Sequence, residues 1–126
     1  MSDADPQKIV EQFCAAWGTG DIDVILDFFT PDALYHNIPM EPVTGVDQIR
    51  ALITGFMAGV DKIEFRVKHQ AANGNVVMNE RVDAFITDAK TIELPVMGVF
   101  EVTDDGHISA WRDYFDLNQF MSQMAP

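Results

Sequence analysis

Positive charge is scarce in this chain. Eight Lys and Arg stand against twenty Asp and Glu, a net charge of −12. Nucleic acid and anionic membrane both require basic surface, so neither is an expected partner. There is one cysteine, Cys14. It excludes an intramolecular disulfide and argues against a Cys-built metal site. No apolar run reaches the roughly 20 residues of a bilayer span. The amino terminus, Met1-Ser2-Asp3-Ala4-Asp5-Pro6, is acidic and polar rather than signal-like, which predicts a cytoplasmic protein. His36, His69 and His107 form no ligand spacing, so no metal is expected. There is no Ser-His-Asp set, activated cysteine or Gly-rich phosphate loop.

What is present is apolar and patterned. Hydrophobic residues make up 48% of 126 residues, with nine Phe and seven Met; this predicts one folded domain over 1–126. Asp5-Pro6 reads as a helix start. Ile9, Phe13 and Trp17 then form a stripe, flanked by Val10 and Cys14 and ended by Gly18-Thr19-Gly20. Cys14 and Trp17 read as core. Asp21 caps a second helix carrying Ile22, Ile25, Leu26 and Phe29, stopped at Thr30-Pro31-Asp32. A short strand follows over 33–38, then a loop over 42–45. A third helix runs from about Val46 towards Gly59.

From Lys62 the period becomes two. Ile63, Phe65, Val67 and His69 alternate with polar residues. Asn73-Gly74 marks a turn. Strands are predicted over 77–87, 92–103 and 108–116, with Pro95 and Gly98 suggesting a bulge in the second. The tail from Leu117 has room for one helical turn. Helices followed by antiparallel strands define an α+β protein. The economical arrangement is a strongly curved sheet with helices on its concave face, enclosing an apolar pocket. The outer face of the 77–87 strand (Val76, Met78, Glu80, Val82, Ala84, Ile86) is also largely apolar, which predicts a homodimer packed through that face. Glu80 is out of place there.

The chemistry concentrates on the same strand. Asn79, Arg81 and Asp83 share a face, with a guanidinium and a carboxylate roughly 7 Å apart along it. Asp113 lies between Trp111 and Phe115 on the last strand. A carboxylate in an apolar row is costly unless paired or protonated. Arg81 between Asp83 and Asp113 leaves net −1, and one proton brings it to zero. The result is one acid and one base in one pocket. Tyr35 and Asn37 share a face on the short strand and suit the holding of a water. Trp17, Phe56, Phe85 and Phe115 are candidate walls. By periodicity alone, Arg81 and Asp83 also describe an ordinary surface ion pair.

Three segments, Tyr35-x-Asn37-x-Pro39, Asn79-Glu80-Arg81-Val82-Asp83 and Trp111-Arg112-Asp113-Tyr114-Phe115-Asp116, closely resemble the limonene-1,2-epoxide hydrolases. Those enzymes lie in the nuclear-transport-factor-2-like (SnoaL-like) superfamily of cone-shaped α+β proteins. The resemblance implies cofactor-free, one-step hydrolysis of a small lipophilic epoxide by water to a vicinal diol. It implies Asp113 as general base, Asp83 as general acid, Arg81 as their bridge, and Tyr35 and Asn37 as water ligands. Rival readings are a cyclase, isomerase or dehydratase of the superfamily, or a non-catalytic dimer that binds an apolar ligand. The first has no clear need for an Arg between two Asp. The second leaves five inward polar groups without a reason, each costing about 1–3 kcal/mol if unpaired.

Overall fold

Asp5 accepts from the backbone N–H of Gln7 at 3.1 Å and of Lys8 at 3.4 Å. Pro6 takes the first helical position, where a missing N–H costs nothing. Helix α1 therefore runs Pro6–Ala16 and buries Val10, Phe13 and Cys14. The computed structural model describes residues 5–124. A short 3-10 turn, Trp17–Thr19, closes on Gly20, whose φ of 71° favours glycine. Asp21 caps α2, Ile22–Leu26, in the same manner as Asp5. Helix α3, Val46–Met57, buries Ile49 and Ile53. Helix α4, Leu117–Met124, ends the described chain. No described helix is long and apolar enough to cross a membrane.

Six strands form one curved sheet: β1 Phe29–Asn37, β2 Val43–Thr44, β3 Lys62–Asn73, β4 Val76–Ile86, β5 Thr91–Val102 and β6 Ile108–Tyr114. Their order is β2-β1-β6-β5-β4-β3. β1 and β6 pair in parallel and every other pair is antiparallel. The α+β class and curved mixed sheet are as expected, with α1 packed across the inner face of β3, β4 and β5. Phe13 centres the core. Its ring meets Trp111 at 4.9 Å, Phe29 at 5.4 Å, Phe28 at 5.5 Å and Phe100 at 5.9 Å, all near edge-to-face.

Several local expectations are corrected. Helix α2 stops at Leu26, so Phe29 is not on it and Thr30-Pro31-Asp32 is not its stop; the strand assigned to 33–38 begins at Phe29, and a register shift between Phe29 and Leu34 absorbs Pro31. The loop at 42–45 contains β2, which pairs with Leu34 and Tyr35. The tail makes an eight-residue helix rather than one turn. There is no bulge between β4 and β5, since Val82↔Pro95 and Asn79↔Gly98 lie in unbroken register. The last β6 partner on β5 is Met97, so at Pro95 one side of β5 has no strand to miss an N–H. Bulges lie elsewhere. On β6 one falls at Ser109, so Ile108 rather than Ser109 enters the core. On β3 one falls at Lys68, where pairing steps from Val67↔Arg81 to His69↔Glu80. His69 is thereby turned from the inner face to the outer, and its Nδ1 lies 2.9 Å from Glu80 Oε1. Glu80 thus has a partner on the face where it looked misplaced.

Candidate active site

Strand alternation on β4 buries Val77, Asn79, Arg81 and Asp83 on the inner face. Arg81 is only 1% exposed, so each of its N–H groups needs an acceptor inside the protein. Nε donates to Asp83 Oδ1 at 2.7 Å and Nη2 to Asp83 Oδ2 at 3.1 Å, a two-pronged grip on one carboxylate. Nη2 also donates to Asp113 Oδ2 in a short contact. Nη1 donates to Asn79 Oδ1 at 3.1 Å. The guanidinium carbon lies 4.5 Å from the centre of the Phe65 ring, which covers one of its faces.

The cross-strand register supplies the second carboxylate. Asn79 pairs with Gly98 on β5, and Gly98 pairs with Asp113 on β6. Asp113 is held from its other side by Trp111, whose Nε1 donates to Oδ1 at 2.6 Å. The parallel β1–β6 pair places Tyr35 beside Trp111 and Asn37 beside Asp113. The Tyr35 ring stacks on Trp111 at 4.1 Å, and its hydroxyl donates to Asn37 Oδ1 at 3.3 Å. The Asn37 Nδ2 group is buried and finds no acceptor among the described residues.

Burial dominates the electrostatics. It pushes the Asp83 carboxyl up to about 7, against the opposing pull of Arg81 and with a further push from Asp113. Asp113 is also raised above the usual carboxylate range by burial, with Arg81 and the Trp111 hydrogen bond opposing. For Arg81 burial pulls down, but Asp113 and Asp83 more than reverse it, so the guanidinium stays charged. Burial and the Asp113 charge keep the Tyr35 hydroxyl protonated. Cys14, behind the cluster, is pushed up to about 12 chiefly by burial and remains a thiol.

A cavity of about 150 Å³ opens over this cluster. Tyr35, Asn37, Asp83 and Asp113 are the polar residues among its described lining. Trp17, Phe56, Phe85 and Phe115 are among its walls. Arg81 lies behind the two carboxylates rather than on the surface of the cavity. Sequence reasoning missed several contributors. Phe65 stacks on Trp17 at 4.4 Å and lines the cavity. Leu117, Phe120 and Met121 bring α4 to it, and Met40 lines it as well. Alternation in the sequence gives Trp111 only as an apolar flank of Asp113. Gly98 in a strand suggests a bulge; the signal for its role in the site is a glycine facing a charged row, the usual mark of close approach.

The curved sheet with helices against its inner face gives this chain the fold of the SnoaL-like proteins. A SnoaL-like protein of Shewanella denitrificans superposes with a TM-score of 0.84 at 14% identity, over 94% of this chain and 96% of that one. The family model for the limonene-1,2-epoxide hydrolase catalytic domain matches residues 4–126. Epoxide hydrolase EphG of Mycobacterium tuberculosis is 35% identical over 108 residues, covering 86% of this chain and 71% of EphG. The structure of an M. tuberculosis LEH-like epoxide hydrolase superposes with a TM-score of 0.80 at 32% identity, over 93% of this chain and 86% of that one. The chain belongs to the limonene-1,2-epoxide hydrolase family.

Proposed function

We propose that this chain opens a lipophilic epoxide to a vicinal diol in one step, with Asp113 as general base and Asp83 as general acid. The observation that carries this reading is the guanidinium of Arg81 shared by two buried carboxylates at the polar floor of an apolar cavity. Two carboxylates and one guanidinium total −1, and one retained proton makes the buried set neutral. The raised carboxyls support such retention near pH 7.

The hydrogen-bonding capacity suits one attacking water. Asn37 Nδ2, with no acceptor among the described residues, donates to the water oxygen. The Tyr35 oxygen, whose proton goes to Asn37 Oδ1, accepts one water proton. Asp113 accepts the other and removes it as the water oxygen bonds to an oxirane carbon. The carbon–oxygen bond of the ring breaks, and Asp83 gives its proton to the leaving oxygen. Asp113 ends protonated and Asp83 ionised; proton exchange restores the pair. Arg81 stays charged throughout and stabilises whichever carboxylate is ionised. Trp17, Phe56, Phe85 and Phe115 are the proposed substrate walls. The lining calls for an epoxide whose remaining surface is hydrocarbon.

The test is diol formation from limonene oxide, cyclohexene oxide, styrene oxide and a steroid epoxide, together with a single turnover in ¹⁸O-water under excess enzyme. The label is expected in the diol at once, and Asp113→Asn is expected to lower kcat by about 10²-fold or more with the fold intact. Label entering an aspartate first would rule out direct attack by water.

A further inference from the structure

Arg81 makes its contact with Asp113 in an unusual place. Its own register partner on β5 is Val96, yet its guanidinium extends along β4 into the neighbouring row, Asn79↔Gly98↔Asp113. That row is filled on β4 by an amide and on β6 by a carboxylate. On β5 it has no side chain. A Cβ built on Gly98 would sit far inside van der Waals contact with Arg81 Nη1, and 3.0 Å from both Asn79 Oδ1 and Asp113 Oδ1. Gly98 has no positive φ to account for the glycine, and its β4 register is unbroken. Neither backbone conformation nor a bulge requires a glycine here. The guanidinium does.

We propose that Gly98 is a positioning residue, its missing side chain forming the slot that lets Arg81 reach Asp113, with Asn79 as the slot's end wall. The wall is itself braced. Asn79 Nδ2 donates to Gln70 Oε1 at 3.3 Å and to Cys14 Sγ at 3.6 Å. Gln70 Nε2 donates to the Gln7 carbonyl of α1 at 3.0 Å. The Lys68 bulge on β3 is what brings Gln70 opposite Asn79. Helix α1, β3, β4 and β5 thus converge on one arm of one guanidinium, while the other arm faces the carboxylates.

The catalytic part of this inference rests on the proposed function; the slot itself does not, and a stability measurement reads it without substrate. Gly98→Ala is compared with wild type, and the same change is made in an Arg81→Ala background. The expected result is a loss of Tm from Gly98→Ala in wild type that largely disappears when Arg81 is trimmed, since the severest contact, with Nη1, is then gone and the two side-chain oxygens gain room to shift. If Gly98→Ala alone does not fold, rescue by Arg81→Ala reads the same way. An equal loss in both backgrounds, or a double variant that does not fold where Arg81→Ala alone does, would mean the glycine serves the backbone and would overturn the slot. In the folded Gly98→Ala enzyme, kcat is expected to fall about 100-fold with KM within about twofold, as a misplaced bridge acts on the transition state more than on apolar binding. Wild-type kcat in that variant would overturn the positioning role. Absence of epoxide turnover in the wild type would strike the proposed function and leave the Tm comparison standing.

Discussion

Asp83 and Asp113 share one cation and are pushed the same way by burial, so their proposed roles depend on the proton they divide. The sign of the pH effect follows. Asp83 is raised to about 7, above the roughly 3.9 of an unfolded aspartate. Between about pH 4 and about pH 7 the folded chain holds a proton that the unfolded chain has released. Stability from this carboxyl is therefore present at low pH and lost as pH rises through about 7. Urea unfolding of wild type and Asp83→Asn at pH 5 and pH 8 measures it: the wild type should be the more favoured of the two at pH 5, and lose ground by pH 8. In the same range kcat/KM should decline as the pair surrenders its shared proton. A rise in either quantity would show that Asp83 is ionised in the folded chain. Trp111 and Asn79 were visible in the sequence as neighbours of the charged residues. Their bonds were not, because alternation assigns a face and says nothing of the direction in which a side chain leans along it.

At the scale of elements, helices were read well where caps and stripes agree. Asp5 and Asp21 each bind two backbone N–H groups. Strand parity was read well on β4 and failed on β3 beyond Lys68 and on β6 at Ser109. One inserted residue reverses every side chain after it, and neither bulge carries a glycine to announce it. Helix α4 leaves a weak sequence signal because none of its residues is buried. Its hold on the sheet is polar and local. The Gln123 amide accepts from Glu93 N at 3.0 Å and donates to Glu93 O at 2.8 Å, imitating a strand partner on β5. Phe120 adds an edge contact with Phe85 at 5.4 Å. Gln123→Ala removes both bonds, at about 0.5–1.5 kcal/mol each. Faster limited proteolysis at α4 and a several-fold higher KM are expected, with kcat little changed. An unchanged KM would mean that α4 is not a working wall of the cavity.

For the whole molecule, helices cover the inner face of the sheet, and among the described residues nothing covers the outer face. Met97 is 47% exposed between Glu80 on β4 and Tyr114 on β6, the latter also 47% exposed, and Met78 on the next row is 40% exposed. The His69–Glu80 pair gives this surface a polar member that is already satisfied. We propose that a second copy of the chain covers it, since a face of this kind matches itself across a two-fold axis. Met97→Glu should shift the sedimentation of the protein towards a monomer and leave its secondary structure unchanged. A wild type that sediments as a monomer would remove the proposal.

Periodicity, caps and turns in the sequence determined the helices, most of the strands, the α+β class and the inward row of Asn79, Arg81 and Asp83. These are local properties, carried by residues a few positions apart. Resemblance over three short segments determined the family. Only the tertiary structure decided that β1 and β6 lie parallel, which brings Tyr35 and Asn37 to Asp113 from nearly eighty residues away. It also decided that the guanidinium lies in the row of Gly98. Which strands become neighbours, and which space a long side chain fills, depends on packing between distant segments. The alternation within any one strand does not contain it.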